Sequence, residues 1–273
     1  MCIKESKTYK HISYCKNKEE ELKMDEKKIV FITGAAKGIG AAVVKKFRDS
    51  DYTVVATDIR FRDFFFADGV YYYHMDVRNR ENVRRVVEQV EGEIGSIDSL
   101  VNVAGIFQMK GALDTSLNEW EEIYNVNIKG VFNVTQIITG KMKLRKKGTV
   151  VVVSSNASKF PRMGMAAYAS TKAAATMYTK CLALELAEYN IRCNIVSPGS
   201  TDTDMQRALW GNSKEVPKSV IKGDLEKYRL GIPLGKIAEP QEIAEMIYFL
   251  STEKAGHITM EEVTIDGGAT MGV

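Results

Sequence analysis

Apolar positions along this chain alternate between two rhythms. Short runs at 28–33, 53–58, 70–75, 99–103, 149–153, 191–196 and 262–265 are predominantly apolar, β-branched or aromatic. Such runs read as strands of a parallel sheet covered on both faces. Between them the spacing becomes helical. Ile39, Val43, Val44 and Phe47 share one face, 82–93 is amphipathic, 117–139 and 165–188 are long helices, and 240–250 opens on a proline. The aromatic stretch 61–66 reads as a loop or short helix whose rings pack. Strand alternating with helix implies an α/β fold: a doubly wound parallel sheet of about seven strands, helices on both faces, right-handed crossovers. No linker interrupts the alternation, so residues 27–273 form one domain. Residues 1–26 are rich in Lys and Glu, lack apolar periodicity and read as a disordered extension, with Met24 as an alternative start.

Charge and composition narrow the function. The 273 residues carry 38 basic and 35 acidic side chains, net +3, which gives no reason to invoke nucleic acid or an anionic membrane. No apolar run reaches the roughly 18 residues of a membrane span, and 1–26 lacks a signal peptide's apolar core. A cytoplasmic protein is expected. Cys2, Cys15, Cys181 and Cys193 show no metal or disulfide spacing, and His11 adds no regular pattern, so no metal is expected. Cys181 and Cys193 read as core packing.

The candidate chemistry lies at strand ends. G-A-A-K-G-I-G (Gly34, Lys37, Gly38, Ile39, Gly40) joins the first strand to a helix, the context in which backbone and helix N-terminus receive a pyrophosphate. Asp58, 18 positions beyond Gly40, is placed to accept hydrogen bonds from an adenosine ribose and to repel a 2′-phosphate. That favours NAD over NADP, although Lys37 and Arg60 can pair with a phosphate. Ser155 stands at the carboxyl end of the 149–153 run. Tyr168 and Lys172 are four apart on a helix, so the ammonium can lie near the phenol, lower its pKa and ready it for proton transfer.

These motifs resemble the short-chain dehydrogenase/reductase family, with its Rossmann fold: T-G-A-A-K-G-I-G (33–40), N-V-A-G (102–105), Asn127 in Y-N-V-N, Ser155, Tyr168, Lys172 and S-P-G-S-T-D-T (197–203). The order is kept from about 28 to 268, with Val103 in place of the usual Ala. The resemblance implies a catalytic set of Asn127, Ser155, Tyr168 and Lys172, with Asn127 holding a water beside Lys172. It places Asp76 and Val77 at the adenine, Asn102, Ala104 and Gly105 beside the cofactor, and Pro198, Gly199, Thr201 and Thr203 near the nicotinamide. It also implies a homotetramer. The stretches P-R-M-G-M-A-A-Y, M-Q-R-A-L-W and L-G-I-P-L-G-K-I-A look like members that oxidise (2S,3S)-2,3-dihydro-2,3-dihydroxybenzoate with NAD in catecholate siderophore synthesis.

Such a substrate, precursor of an aromatic acid, carries a carboxylate. Arg162 and Arg207 are the candidate cations, a solvated surface role being the plain alternative, and Met163 joins them as an apolar candidate. Residues 203–230, broken by Gly211, Pro217 and Gly223, read as a lid or a static excursion. Other readings are a 3-oxoacyl-thioester or sugar ketoreductase using NADPH, and a non-catalytic dinucleotide-binding sensor or scaffold.

Overall fold

Strand β1 (Ile29–Thr33) shows how the sheet is buried from both sides. Ile29 and Phe31 enter one apolar layer, Val30 and Ile32 the other. The same alternation recurs in β6 (Gly148–Val153), with Val150 and Val152 on the first side and Val151 and Val153 on the second. Burial of a side chain such as Phe31 contributes roughly 1.5–3 kcal/mol. The first layer is closed by α2 (Arg80–Glu93), α4 (Val131–Arg145) and α5 (Ala166–Leu186), through residues such as Val87, Ile138 and Leu186. The second is closed by α1 (Gly38–Arg48) and α8 (Pro240–Ser251), through Phe47 and Ile247.

The computed structural model describes residues 27–211 and 215–272. The extension 1–26, with Cys2, His11 and Cys15, lies outside the described residues. The remaining strands of the main sheet are β2 (Thr53–Asp58), β3 (Phe65–Ala67), β4 (Val70–His74), β5 (Ile97–Asn102), β7 (Ile191–Pro198) and β10 (Glu262–Ile265). Their order is β10-β7-β6-β5-β1-β2-β4-β3. The order turns around at β1 and β5, and a ligand crevice is expected beyond the carboxyl ends of those two strands.

Three expectations need correction. The stretch 61–66 is neither loop nor helix throughout: β3 pairs antiparallel with β4, which makes the sheet eight-stranded. Asp68 and Gly69, both at positive φ, form the tight turn between them. The rings do pack, with Phe65 stacked 4.5 Å from Tyr72. The long helix at 117–139 is in fact α3 (Leu117–Tyr124), capped by Ser116 and Glu119, then a π-helical turn at Asn125–Gly130, then α4. Cys181 is exposed on α5, whereas Cys193 is buried in β7, where burial pushes its thiol up to about 12.

The segment beyond β7 holds α6 (Asp204–Ala208), α7 (Lys218–Lys222) and a separate hairpin of β8 (Gly223–Asp224) and β9 (Arg229–Leu230). Val220, Ile232, Ile237 and Ala269 give it a small apolar core of its own. No helix among the described residues is long and apolar enough to cross a membrane.

Candidate active site

The tips of β1 and β5 are tied together. Thr33 Oγ1 accepts hydrogen bonds from the N–H groups of Val103 and Ala104, each at 3.2 Å. Gly34 follows at φ +67°, and a Cβ there would stand 2.6 Å from the Ala104 Cα, so glycine alone fits. Helix α1 then starts from Lys37, which offers no side-chain cap, and its first turn has no acidic residue. Its free N–H groups and positive dipole end therefore remain for an anion.

Asp58 at the tip of β2 is held beside this loop. Its Oδ2 accepts from the Ala36 N–H at 3.0 Å and its Oδ1 from the Arg60 N–H at 2.9 Å. Lys37 reaches the other way, to Asp204 at 3.9 Å. Asp76 is gripped by the Arg78 guanidinium at 2.8 Å, which holds its carboxyl below the usual range.

A cleft of about 770 Å³ opens above these strand ends. Gly34, Lys37, Gly38, Ile39, Gly40, Asp58, Asp76 and Val77 are among its lining residues. Ala104, Gly105, Pro198, Gly199, Thr201 and Thr203 line it as well, and a Cβ on Gly38 would stand 3.1 Å from the Thr203 side chain. Asn102 does not reach it: it is buried, its Nδ2 donating to Thr135 Oγ1 at 3.0 Å. A cradle open to backbone N–H groups, followed by a carboxylate, fits the pyrophosphate and ribose of a dinucleotide.

Ser155, Tyr168 and Lys172 meet in the same cleft. Ser155 stands two residues beyond the end of β6, and its hydroxyl hydrogen-bonds the Tyr168 side chain. Tyr168 lies in the first turn of α5 with Phe107 edge-on at 4.8 Å. Burial pushes its phenol up to about 12, and the Ser155 bond works the other way. Lys172, one turn along, donates to the Val153 carbonyl at 2.9 Å, and burial pushes its ammonium down to about 8. The expected lowering of the phenol by Lys172 is not found, because desolvation dominates both groups. Asn127 stays behind the cleft wall: Oδ1 accepts from the Ile106 N–H at 2.8 Å, and Nδ2 donates to the Ile106 carbonyl and to Thr171 Oγ1. It remains near Lys172. A carbon placed on the Gly105 Cα would lie 3.3 Å from Asn127 Oδ1 and 3.5 Å from Lys172 Nζ.

Arg162 also lines the cleft and is half-buried. No carboxylate pairs with it among the described residues; burial, then the nearby Arg229 guanidinium, hold it below its ordinary value. Arg229 also lines the cleft and donates to Ser200 Oγ at 3.2 Å. Sequence reasoning missed Arg229, which stands in an aperiodic segment outside every matched motif. Two other candidates are not brought to the cleft. Met163 is 60% exposed, because Gly164 at φ +74° turns the loop, and Met165 lines the cleft instead. Arg207 lies outside the lining and pairs with Asp202.

The arrangement suits proton transfer at a hydroxyl or carbonyl placed between Ser155 and Tyr168, beside a dinucleotide. Among the described residues no cluster of three His, Cys, Asp or Glu is set to hold a metal.

A family model described as short chain dehydrogenase matches residues 28–214. The 2,3-dihydro-2,3-dihydroxybenzoate dehydrogenase of Bacillus subtilis (strain 168) is 47% identical over 256 residues, covering 91% of this chain and 98% of that protein. The Escherichia coli (strain K12) protein of the same name is 42% identical over 247 residues, covering 90% and 98%. Among solved structures, ElxO with NADP bound superposes with a TM-score of 0.80 at 29% identity, covering 90% of this chain and 99% of that one.

Proposed function

The chain belongs to the short-chain dehydrogenase family and is an oxidoreductase served by a nicotinamide dinucleotide; within that family we propose that it oxidises (2S,3S)-2,3-dihydro-2,3-dihydroxybenzoate to 2,3-dihydroxybenzoate with NAD, as a cytoplasmic step of catecholate siderophore synthesis. The observation that carries the substrate is Arg162, a half-buried guanidinium in the cleft that holds the Tyr168 hydroxyl, without a carboxylate partner among the described residues. A ring bearing a carboxylate near the reacting hydroxyl is matched to both groups. The likeness to two proteins of that name supports the same substrate.

Asp58 supports NAD. Its carboxylate is fixed by two backbone N–H groups where a 2′-phosphate would come, and Lys37 is engaged with Asp204. Gly34 to Gly40, with the uncapped start of α1, hold the pyrophosphate.

In the reaction, Tyr168 takes the proton of the substrate hydroxyl while Ser155 holds that oxygen by a hydrogen bond. A nicotinamide dinucleotide held along Gly34–Gly40 and Asp58 would supply the hydride acceptor for the same carbon. Lys172 stabilises the phenolate form from within a water-poor site, where its charge acts more strongly than in bulk. Asn127 steadies the loop at Ile106 and the start of α5 through Thr171. The ketone first formed is one proton shift from an aromatic catechol, and that gain draws the reaction forward.

The test is incubation with NAD and the purified dihydrodiol, following NADH and catechol absorbance. Absence of turnover overturns the reading, and preferential reduction of a 3-oxoacyl thioester or sugar ketone with NADPH replaces it. Arg162→Ala should raise KM for the dihydrodiol more than for a neutral cyclohexanol analogue. Exposed Met177 and Leu184 on α5 and Phe132 on α4 support self-association, which we assign as a homotetramer, to be checked by light scattering.

A further inference from the structure

We propose that Arg229 joins Arg162 in a two-guanidinium seat for the substrate carboxylate, and that Arg229 sets the preference for carboxylated over neutral rings. This rests on the dehydrogenase reading above and extends it to a residue from a different part of the chain.

Arg162 comes from the loop between β6 and α5, whereas Arg229 comes from the hairpin 67 positions later. The hairpin holds Arg229 in place by backbone pairing of Asp224 with Arg229 and of Gly223 with Leu230. Gly223, at φ +94°, admits this close return: a Cβ there would stand 2.7 Å from the Arg229 carbonyl oxygen. Below the hairpin, the Ile232 N–H donates to the Ile221 carbonyl at 2.8 Å. The Arg229 guanidinium then reaches Ser200, next to Gly199 in the cleft wall.

Both guanidiniums are half-buried, and Arg162 feels the repulsion of Arg229. Gathering two cations in a partly desolvated cleft is unfavourable unless an anion sits with them. Among the described residues, the acids that act on the two guanidiniums are already engaged. Asp266, the acid Arg162 senses, already accepts from Asn156, Thr270 and the Gly268 N–H at 2.7–3.1 Å. Asp224, which Arg229 senses, is paired with Lys227 at 3.1 Å. A planar carboxylate fits the forked donors of two guanidiniums. With Tyr168 and Ser155 in the same cleft, such a seat fixes a ring at two points and leaves one hydroxyl-bearing carbon to face the phenol.

Titration calorimetry on the NADH-loaded enzyme with 2,3-dihydroxybenzoate, catechol and benzoate tests this. Wild type should bind 2,3-dihydroxybenzoate about tenfold or more tightly than catechol. Arg229→Gln should lose most of that ratio with catechol affinity retained, and Arg229→Lys, which keeps the charge but not the fork, should fall between. NADH affinity serves as the folding control, and if Arg229→Gln does not fold, Arg229→Lys decides. An unchanged ratio, or equal weakening of both ligands, overturns the seat. Turnover of the dihydrodiol by wild type is read separately. If it occurs while the ratio ignores Arg229, the seat falls and the dehydrogenase stands. If it is absent while benzoate binds in an Arg229-dependent way, the seat stands and the substrate assignment falls.

Discussion

Lys172 Nζ stands 5.7 Å from the centre of the Tyr168 ring and gives its hydrogen bond to the Val153 carbonyl. The ammonium is thus anchored to the end of β6, one helical turn from the phenol. Burial pushes the phenol up to about 12 and the ammonium down to about 8.

Tyr168→Phe tests the proton acceptor. Turnover should fall about 10²–10⁴-fold, the usual contribution of a placed general base. NADH binding, followed by fluorescence, should persist, since no hydrogen bond to the glycine loop involves the phenol. A variant with half the wild-type activity refutes the role.

Lys172 carries a pH signature in stability. Its folded value, about 8, lies below the ordinary 10.5. Between these values the unfolded chain holds a proton that the folded chain has released, so stability rises with pH, by on the order of 3 kcal/mol over the whole window. Tyr168 has the opposite sign: its contribution is present below pH 10 and is lost as pH rises towards 12. Urea midpoints from pH 8 to 10 should therefore show wild type gaining on Lys172→Met. Parallel curves would count against a buried ammonium.

Asp58→Asn addresses cofactor choice. The amide removes the charge and can accept only one of the two N–H groups, from Ala36 or Arg60, that the carboxylate now accepts. KM should rise for NAD, and the ratio of kcat/KM for NAD over NADP should drop about tenfold or more. An unmoved ratio assigns the discrimination elsewhere.

Gly34→Ala should strain the first turn of the site. The added carbon meets the Ala104 backbone at 2.6 Å with φ at +67°. A loss of about 1–3 kcal/mol in stability is expected, together with weaker dinucleotide binding. Thermal melts with and without NADH measure both effects. An unchanged midpoint shows that the two strand tips can separate.

The parts of the site that sequence placed well are those set by regular elements. Ser155 follows a strand whose limits are plain in its valines, and Tyr168 and Lys172 share one helix, so all three arrive together in the cleft. What sequence could not place depends on irregular backbone. Met163 and Met165 differ by two positions, and only the turn at Gly164 decides which faces inward. The π turn at Asn125–Gly130 has no periodic mark, so 117–139 reads as one helix. Helix α5 is so rich in alanine that its faces differ little, and Cys181 reads as core although it is exposed. The Asp68–Gly69 turn was a local signal for β3 that the aromatic run obscured. Arg229 needed the tertiary return of a hairpin.

That hairpin shares no backbone ladder with the eight-stranded sheet. Changes within it should leave the main core and the hydride chemistry largely undisturbed, because loops and excursions tolerate replacement better than the scaffold beneath them. A lineage built on this scaffold can thus exchange one metabolite for another by remodelling a few surface positions, inheriting its reaction intact.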